Sequence, residues 1–116
     1  MTRATPSTTT YLPGELILVA FPFTTGSQAK PRPALVILDA GDSDVLLARV
    51  TTQPYSTTYD VPLADWQAAG LLAPSVVRLH KLATLHRSLT GRALGRVSAD
   101  DRRRIAAVLQ ATFGLW

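Results

Sequence analysis

Residues Glu15 to Phe23 read ELILVAFPF, a run that is apolar at both sets of alternating positions. Side chains of a strand alternate between faces, so such a run has no face to give to water and must be covered on both sides. The rest of the chain has to supply that cover, either as a barrel-like enclosure or as a partner surface. With 116 residues and 47% apolar content it has material for one small core, hence for one domain.

The runs that follow are short and separated by turn formers. Pro13-Gly14 turns into the first strand, and Pro22 places the end of that strand at an edge. Thr24 to Lys30 is a polar, glycine-containing loop that could serve as a mobile lid. Pro33 to Leu38 reads as a second strand closed by the turn Asp39-Ala40-Gly41-Asp42, and Asp44 to Thr52 as a third ended by Gln53-Pro54. Tyr55 to Thr58 is loop, Tyr59 to Leu63 a short strand, and Ala64 to Ala69 a helical turn closed by Gly70. Ser75 to His86 is a long strand and Gly91 to Val97 the last.

One helix is predicted, at the C-terminal end. Ser98 with Asp101 three residues on forms a capping box, Asp100 and Asp101 suit the positive end of a helix, and Gly114 stops it. Ile105, Val108, Leu109, Thr112 and Phe113 recur on one stripe, which packs on the sheet. The Arg102-Arg103-Arg104 run reads as a solvated face. Residues 2–12 carry five threonines and little that is apolar, so residues 1–12 read as a flexible lead-in to a single domain over 13–116.

Twelve basic residues, ten of them arginine, against eight acidic ones give a net charge of +4. Guanidinium groups pair with phosphate in bidentate fashion, so the bias fits a phosphate-bearing partner. The absence of cysteine excludes disulfides and thiolate sites, and His80 and His86 are too few to point to zinc; metal-independent chemistry with no cofactor is expected. No apolar run approaches the roughly 20 residues that span a bilayer, and the N-terminus lacks a basic-then-apolar leader. A cytoplasmic protein with no membrane partner is the expectation.

Candidate chemistry gathers at three places. Arg32 lies between Pro31 and Pro33, which fix the backbone and present the guanidinium from a stiff segment. Alternation along the third strand puts Val45, Leu47, Arg49 and Thr51 on one face and Leu46, Ala48 and Val50 on the other. In the long strand Arg78 and His80 share a face, opposite Val77 and Leu79.

The ordered set Pro13-Gly14-Glu15-Leu16, the polar glycine loop, Arg32-Pro33-Ala34-Leu35-Val36-Ile37, Val50-Thr51-Thr52-Gln53 and Ser75-Val76-Val77-Arg78 resembles the MazF/PemK family of toxins from type II toxin–antitoxin systems, over residues 13–116. The resemblance implies a mainly β fold with a C-terminal helix, an SH3-like small barrel, assembled as a homodimer. It implies an endoribonuclease that cuts single-stranded RNA at specific sequences and is silenced by a cognate antitoxin. It gives chemistry to Arg32 and Thr51 and, from the PemK branch, to Arg78 and to an acidic residue two positions on.

That last position holds His80 here. Histidine can do general acid or base work near neutrality, and the alternative of a surface or interface histidine stays open. Lys30, Thr52 and Gln53 adjoin these positions and are expected to contact RNA. Phe23, Tyr55 and Tyr59 lie near the expected groove, Phe23 reading as a packing residue of its apolar strand, and Trp66 reads as a buried anchor or dimer contact. Two other functions compete. One is a non-catalytic toxin that binds a protein target such as gyrase through its C-terminal helix, as CcdB-like toxins do; the other is an inactive homologue that binds RNA or antitoxin without cutting.

Overall fold

The short apolar runs separated by turns become strands that all pair antiparallel. The computed structural model describes residues 10–21 and 30–114. In chain order the elements are β1 (Glu15–Val19), β2 (Arg32–Leu38), β3 (Asp44–Thr51), β4 (Asp60–Pro62), β5 (Val76–His86), β6 (Thr90–Arg96) and α1 (Ala99–Phe113). The strands form one six-stranded sheet in the order β4-β5-β3-β2-β1-β6. Among the described residues no helix is long and apolar enough to cross a membrane.

The mainly β architecture with one C-terminal helix is the expected one, but the sheet does not close into the expected barrel. Its edges are β4 and β6. Only three residues long, β4 ends at Pro62, which has no N–H to donate, and so offers β6 little to pair with.

Both faces of β1 are buried within the chain, as its sequence requires. Leu16 joins Leu35, Ala48, Val50, Val61, Val77 and Leu79 in one core, which Ile105 of α1 and Ala69 and Leu71 of the 64–71 segment complete. On the other face Ile17 and Val19 pack with Ala34, Val36, Val45, Leu47 and Leu85. The alternation read for β3 holds, with Val45 and Leu47 in the second core and Ala48 and Val50 in the first. Trp66 packs, partly buried, against the first core.

Two segments differ from the sequence reading for local reasons. The strand read from Glu15 to Phe23 ends at Val19, because the Ala20 N–H donates to the Leu89 carbonyl (2.9 Å). Pro22, Phe23 and the loop after them up to residue 29 lie outside the described residues, as do residues 1–9 and 115–116. Within the segment read as a flexible lead-in, Tyr11 is held: its N–H donates to Asp39 Oδ2 (2.8 Å), its hydroxyl to the Gly91 carbonyl (2.7 Å), and its ring packs on the second core. The helical turn read for residues 64–69 is present, with the Ala69 N–H donating to the Asp65 carbonyl (3.1 Å) and Gly70 (φ 93°) closing it.

Two glycines let that turn dock on the sheet. A Cβ at Gly95 would stand 2.3 Å from the Ala69 carbonyl oxygen, and one at Gly70 would stand 2.2 Å from the Leu94 carbonyl oxygen. Helix α1 begins as read, with Ser98 accepting from the Asp101 N–H (3.1 Å). The other half of the capping box does not form. The Asp101 carboxylate turns to the N–H groups of Ala64 (3.0 Å) and Asp65 (2.9 Å) and to Arg104, and so pins the turn to the helix. Burial alone would raise its pKa; the Asp65 and Ala64 N–H groups, with Arg104, outweigh that and lower it. In the arginine run Arg103 pairs with Asp100, and Arg102 donates to the Pro13 carbonyl (2.6 Å).

Candidate functional site

Register across the sheet decides which polar side chains meet. Ala34 on β2 pairs with Arg49 on β3, Arg49 with Arg78 on β5, and Arg78 with Asp60 on β4. In the next row Thr51 pairs with Val76, and Val76 with Pro62. Extending the β2–β3 register by two residues sets Arg32 opposite Thr51. Residues opposed in antiparallel strands share a face, so Arg32, Arg49, Thr51, Arg78 and Asp60 stand on the face of the second core, beyond the end of that core.

A polar cleft of about 280 Å³ opens here, lined by Arg32, Pro33, Arg49, Val50, Thr51, Thr52, Gln53 and Ser75. Arg32 and Arg49 are exposed and have no carboxylate partner among the described residues. The Thr51 hydroxyl oxygen accepts from the Gln53 N–H (3.1 Å), which orients the hydroxyl and leaves its hydrogen free to donate into the cleft. Lys30 is exposed just before β2 and does not line the cleft.

Arg78 and His80 form a second group, one strand over. The β3–β5 pairing breaks between Ala48 and Arg49, so Leu79, His80 and Lys81 have no partner on β3. Such bulges re-aim side chains at strand interruptions. Arg78 is bound through Nε to Asp60 Oδ1 (2.8 Å) and through Nη2 to Asp60 Oδ2 (3.4 Å). Tyr55 lies under its guanidinium, 3.5 Å from ring centroid to carbon, a cation–π contact.

The His80 ring leans on Tyr59, with centroids 4.9 Å apart, and its Nε2 is 3.5 Å from Arg78 Nη2. A guanidinium only donates, so Nε2 faces it with a lone pair, and the buried Nδ1 has no hydrogen-bond partner. The sequence reading brought Tyr55 and Tyr59 to this neighbourhood. They stack on Arg78 and His80, with 45% and 40% of their surface exposed.

Asp60 was missed in the sequence reading. Its burial would raise its pKa, but hydrogen bonds from Arg78 and from the Thr57 hydroxyl and N–H (2.7 and 2.9 Å) reverse this and hold it at about 2. The bonds to Asp60 in turn push the Arg78 guanidinium above its ordinary range. A carboxylate depressed from 3.8 to about 2 stabilises the fold fully above 3.8, and this contribution is lost as pH falls through 2. Asp60→Asn therefore lowers the denaturant midpoint at neutral pH, and the gap to the parent protein narrows on acidification through that window. A gap that stays constant with pH would show that the pair contributes no linkage. Arg49, whose position two residues before Thr51 on the same face was legible, had been given no role.

A family model of PemK-like, MazF-like toxins of type II toxin–antitoxin systems matches residues 12–113. No curated protein matches the sequence. Among solved structures, a mycobacterial endoribonuclease in complex with its cognate antitoxin is similar with a TM-score of 0.72 at 20% identity, covering 91% of this chain and 97% of that one. The Mycobacterium tuberculosis toxin MazF-mt6 gives 0.68 at 25% identity, with 87% and 98% covered. MazF from Deinococcus radiodurans gives 0.71 at 23% identity, with 92% and 99% covered. The first and third of these likenesses speak for the fold.

Proposed function

Because this chain belongs to the family of PemK-like, MazF-like toxins of type II toxin–antitoxin systems, we propose that it is a metal-independent, sequence-specific endoribonuclease acting on single-stranded RNA in the cytoplasm. The observation that carries this reading is the convergence on one polar cleft of the Arg32 guanidinium, without a carboxylate partner among the described residues, and the Thr51 hydroxyl. The family match supports a toxin held by an antitoxin, and the mycobacterial neighbour, an endoribonuclease solved with its antitoxin, has the same fold.

The reaction begins with attack of a 2′-hydroxyl on the adjacent phosphate. It expels the 5′-oxygen, which takes a proton from solvent water, and leaves a 2′,3′-cyclic phosphate. Arg32 holds the non-bridging oxygens of the phosphate, and Thr51 donates to it or orients the 2′-hydroxyl. Arg78, fixed by Asp60, keeps Nη1 free to reach the same phosphate from the neighbouring strand. His80 takes the 2′-hydroxyl proton on Nε2 once the long 3.5 Å contact of that nitrogen with Arg78 opens and its lone pair turns to the substrate. Thr52 and Gln53, lining the cleft, and Lys30 at its approach contact the RNA on either side. The active form is a homodimer, silenced by a cognate antitoxin.

The test is cleavage of a long single-stranded RNA by the purified protein, with and without an excess of complementary strand. Cuts at a few defined sites, suppressed by the complement, are expected, because bases must be unpaired to be read. Intact RNA beside inhibition of gyrase supercoiling would replace this reading with that of a toxin that binds a protein target.

A further inference from the structure

Arg49 is the one cleft-lining residue of β3 that the reaction above leaves unused and whose charge is open. It follows the apolar run Val45–Ala48 of β3, on the face shared with Thr51, and pairs in register with Arg78. Like charges directly opposed across two strands are unfavourable. The fold relieves this on one side only: Asp60 on β4 takes Nε and Nη2 of Arg78, and Tyr55 covers the guanidinium face. Arg49 stays exposed and without a carboxylate among the described residues, although Arg78, Arg87, Arg103 and Arg104 all have one. An arginine kept beside a second arginine, facing a polar cleft, is suited to an anion brought from outside.

We propose that Arg49 binds a backbone phosphate of the RNA next to the phosphate held by Arg32, a role that rests on the ribonuclease reading above. Arg49 and Thr51 are successive side chains on one face, about 6.6 Å apart along the strand. This is of the same size as the step between neighbouring phosphates of an extended strand. The cleft then carries the RNA backbone along β3, with Arg32 and Arg78 on the scissile phosphate and Arg49 on the next one, and Arg49 acts in substrate binding.

The test uses a 2′-O-methyl RNA oligonucleotide that contains the cleavage sequence and has no 2′-hydroxyl to attack. Its Kd is measured over a range of salt concentrations for the parent protein, Arg49→Ala, Arg49→Lys and Arg103→Ala, the last removing an equal charge from α1. Circular dichroism checks the fold of each. Arg49→Ala is expected to weaken binding about tenfold and to reduce the salt slope by about 0.7, the value for one single-strand phosphate contact. Arg49→Lys should restore the slope, and Arg103→Ala should leave it unchanged. Unchanged binding by Arg49→Ala in a protein that cleaves RNA overturns this assignment alone, as does an equal loss in Arg103→Ala, which would reduce the effect to net charge. A parent protein that neither cleaves nor binds RNA removes the ribonuclease reading and this one together.

Discussion

Arg32→Ala should leave a folded protein that cleaves RNA about 10²–10³-fold more slowly, the usual cost of losing one group that stabilises charge in the transition state. Arg32 opens β2, is exposed, and has no ion-pair partner among the described residues, so the substitution takes nothing from the core. Pro31 and Pro33 hold its backbone, and Pro33 restricts Arg32 to extended geometry whatever its side chain. Steady-state kinetics on a short RNA, with thermal unfolding as the control, should show a fall in kcat/KM with little change in Tm. Arg32→Lys should recover only part of the loss, because an ammonium restores the charge but not the planar two-point contact. Full activity in Arg32→Ala would remove the residue from the site.

Gly95→Ala should lower Tm by on the order of 10 °C, from about 3 kcal/mol of overpacking at the upper end of the common range. The added methyl would stand 2.3 Å from the Ala69 carbonyl oxygen and 2.8 Å from its carbon, both backbone atoms that no rotamer change can move aside. The turn carrying Ala69 and Leu71 caps the first core and is pinned to α1 by Asp101, so it cannot retreat without opening that core. Gly41→Ala provides the contrast. Gly41 has φ 87° but open space around it, so only backbone strain is felt there. Thermal unfolding of the two variants separates contact from strain, and equal small shifts in both would show that the turn is free to move.

Local features carried much of this structure in the sequence. The doubly apolar β1, the Ser98 cap, the Gly114 stop and the alternation along β3 all follow from interactions within a few residues, and each was legible. Arg32 and the stretch from Thr51 to Gln53 meet at the cleft because they flank adjacent strands, which order along the chain already implied.

What was hidden depends on register and on contacts between distant segments. Asp60 and Arg78 meet because β4 and β5 pair as they do, and nothing in Tyr59-Asp60-Val61 announces that register. The bulge at Leu79–Lys81 is likewise set by the neighbouring strand. Asp101 gave a capping signal, yet its carboxylate serves the N–H groups of Ala64 and Asp65, more than thirty residues earlier. Closure of the sheet failed for a reason visible only once Pro62 was seen to end an edge strand.

In the function proposed above, this cleft performs metal-independent transesterification of RNA. The most direct measurement is incubation of the purified protein with long single-stranded RNA in EDTA, followed by mapping of cut sites and fragment ends beside Arg32→Ala. Site-specific cuts ending in 2′,3′-cyclic phosphate, lost in the variant, are predicted. Intact RNA with folded protein, cuts that persist in Arg32→Ala, or fragments ending in 3′-hydroxyl would contradict it.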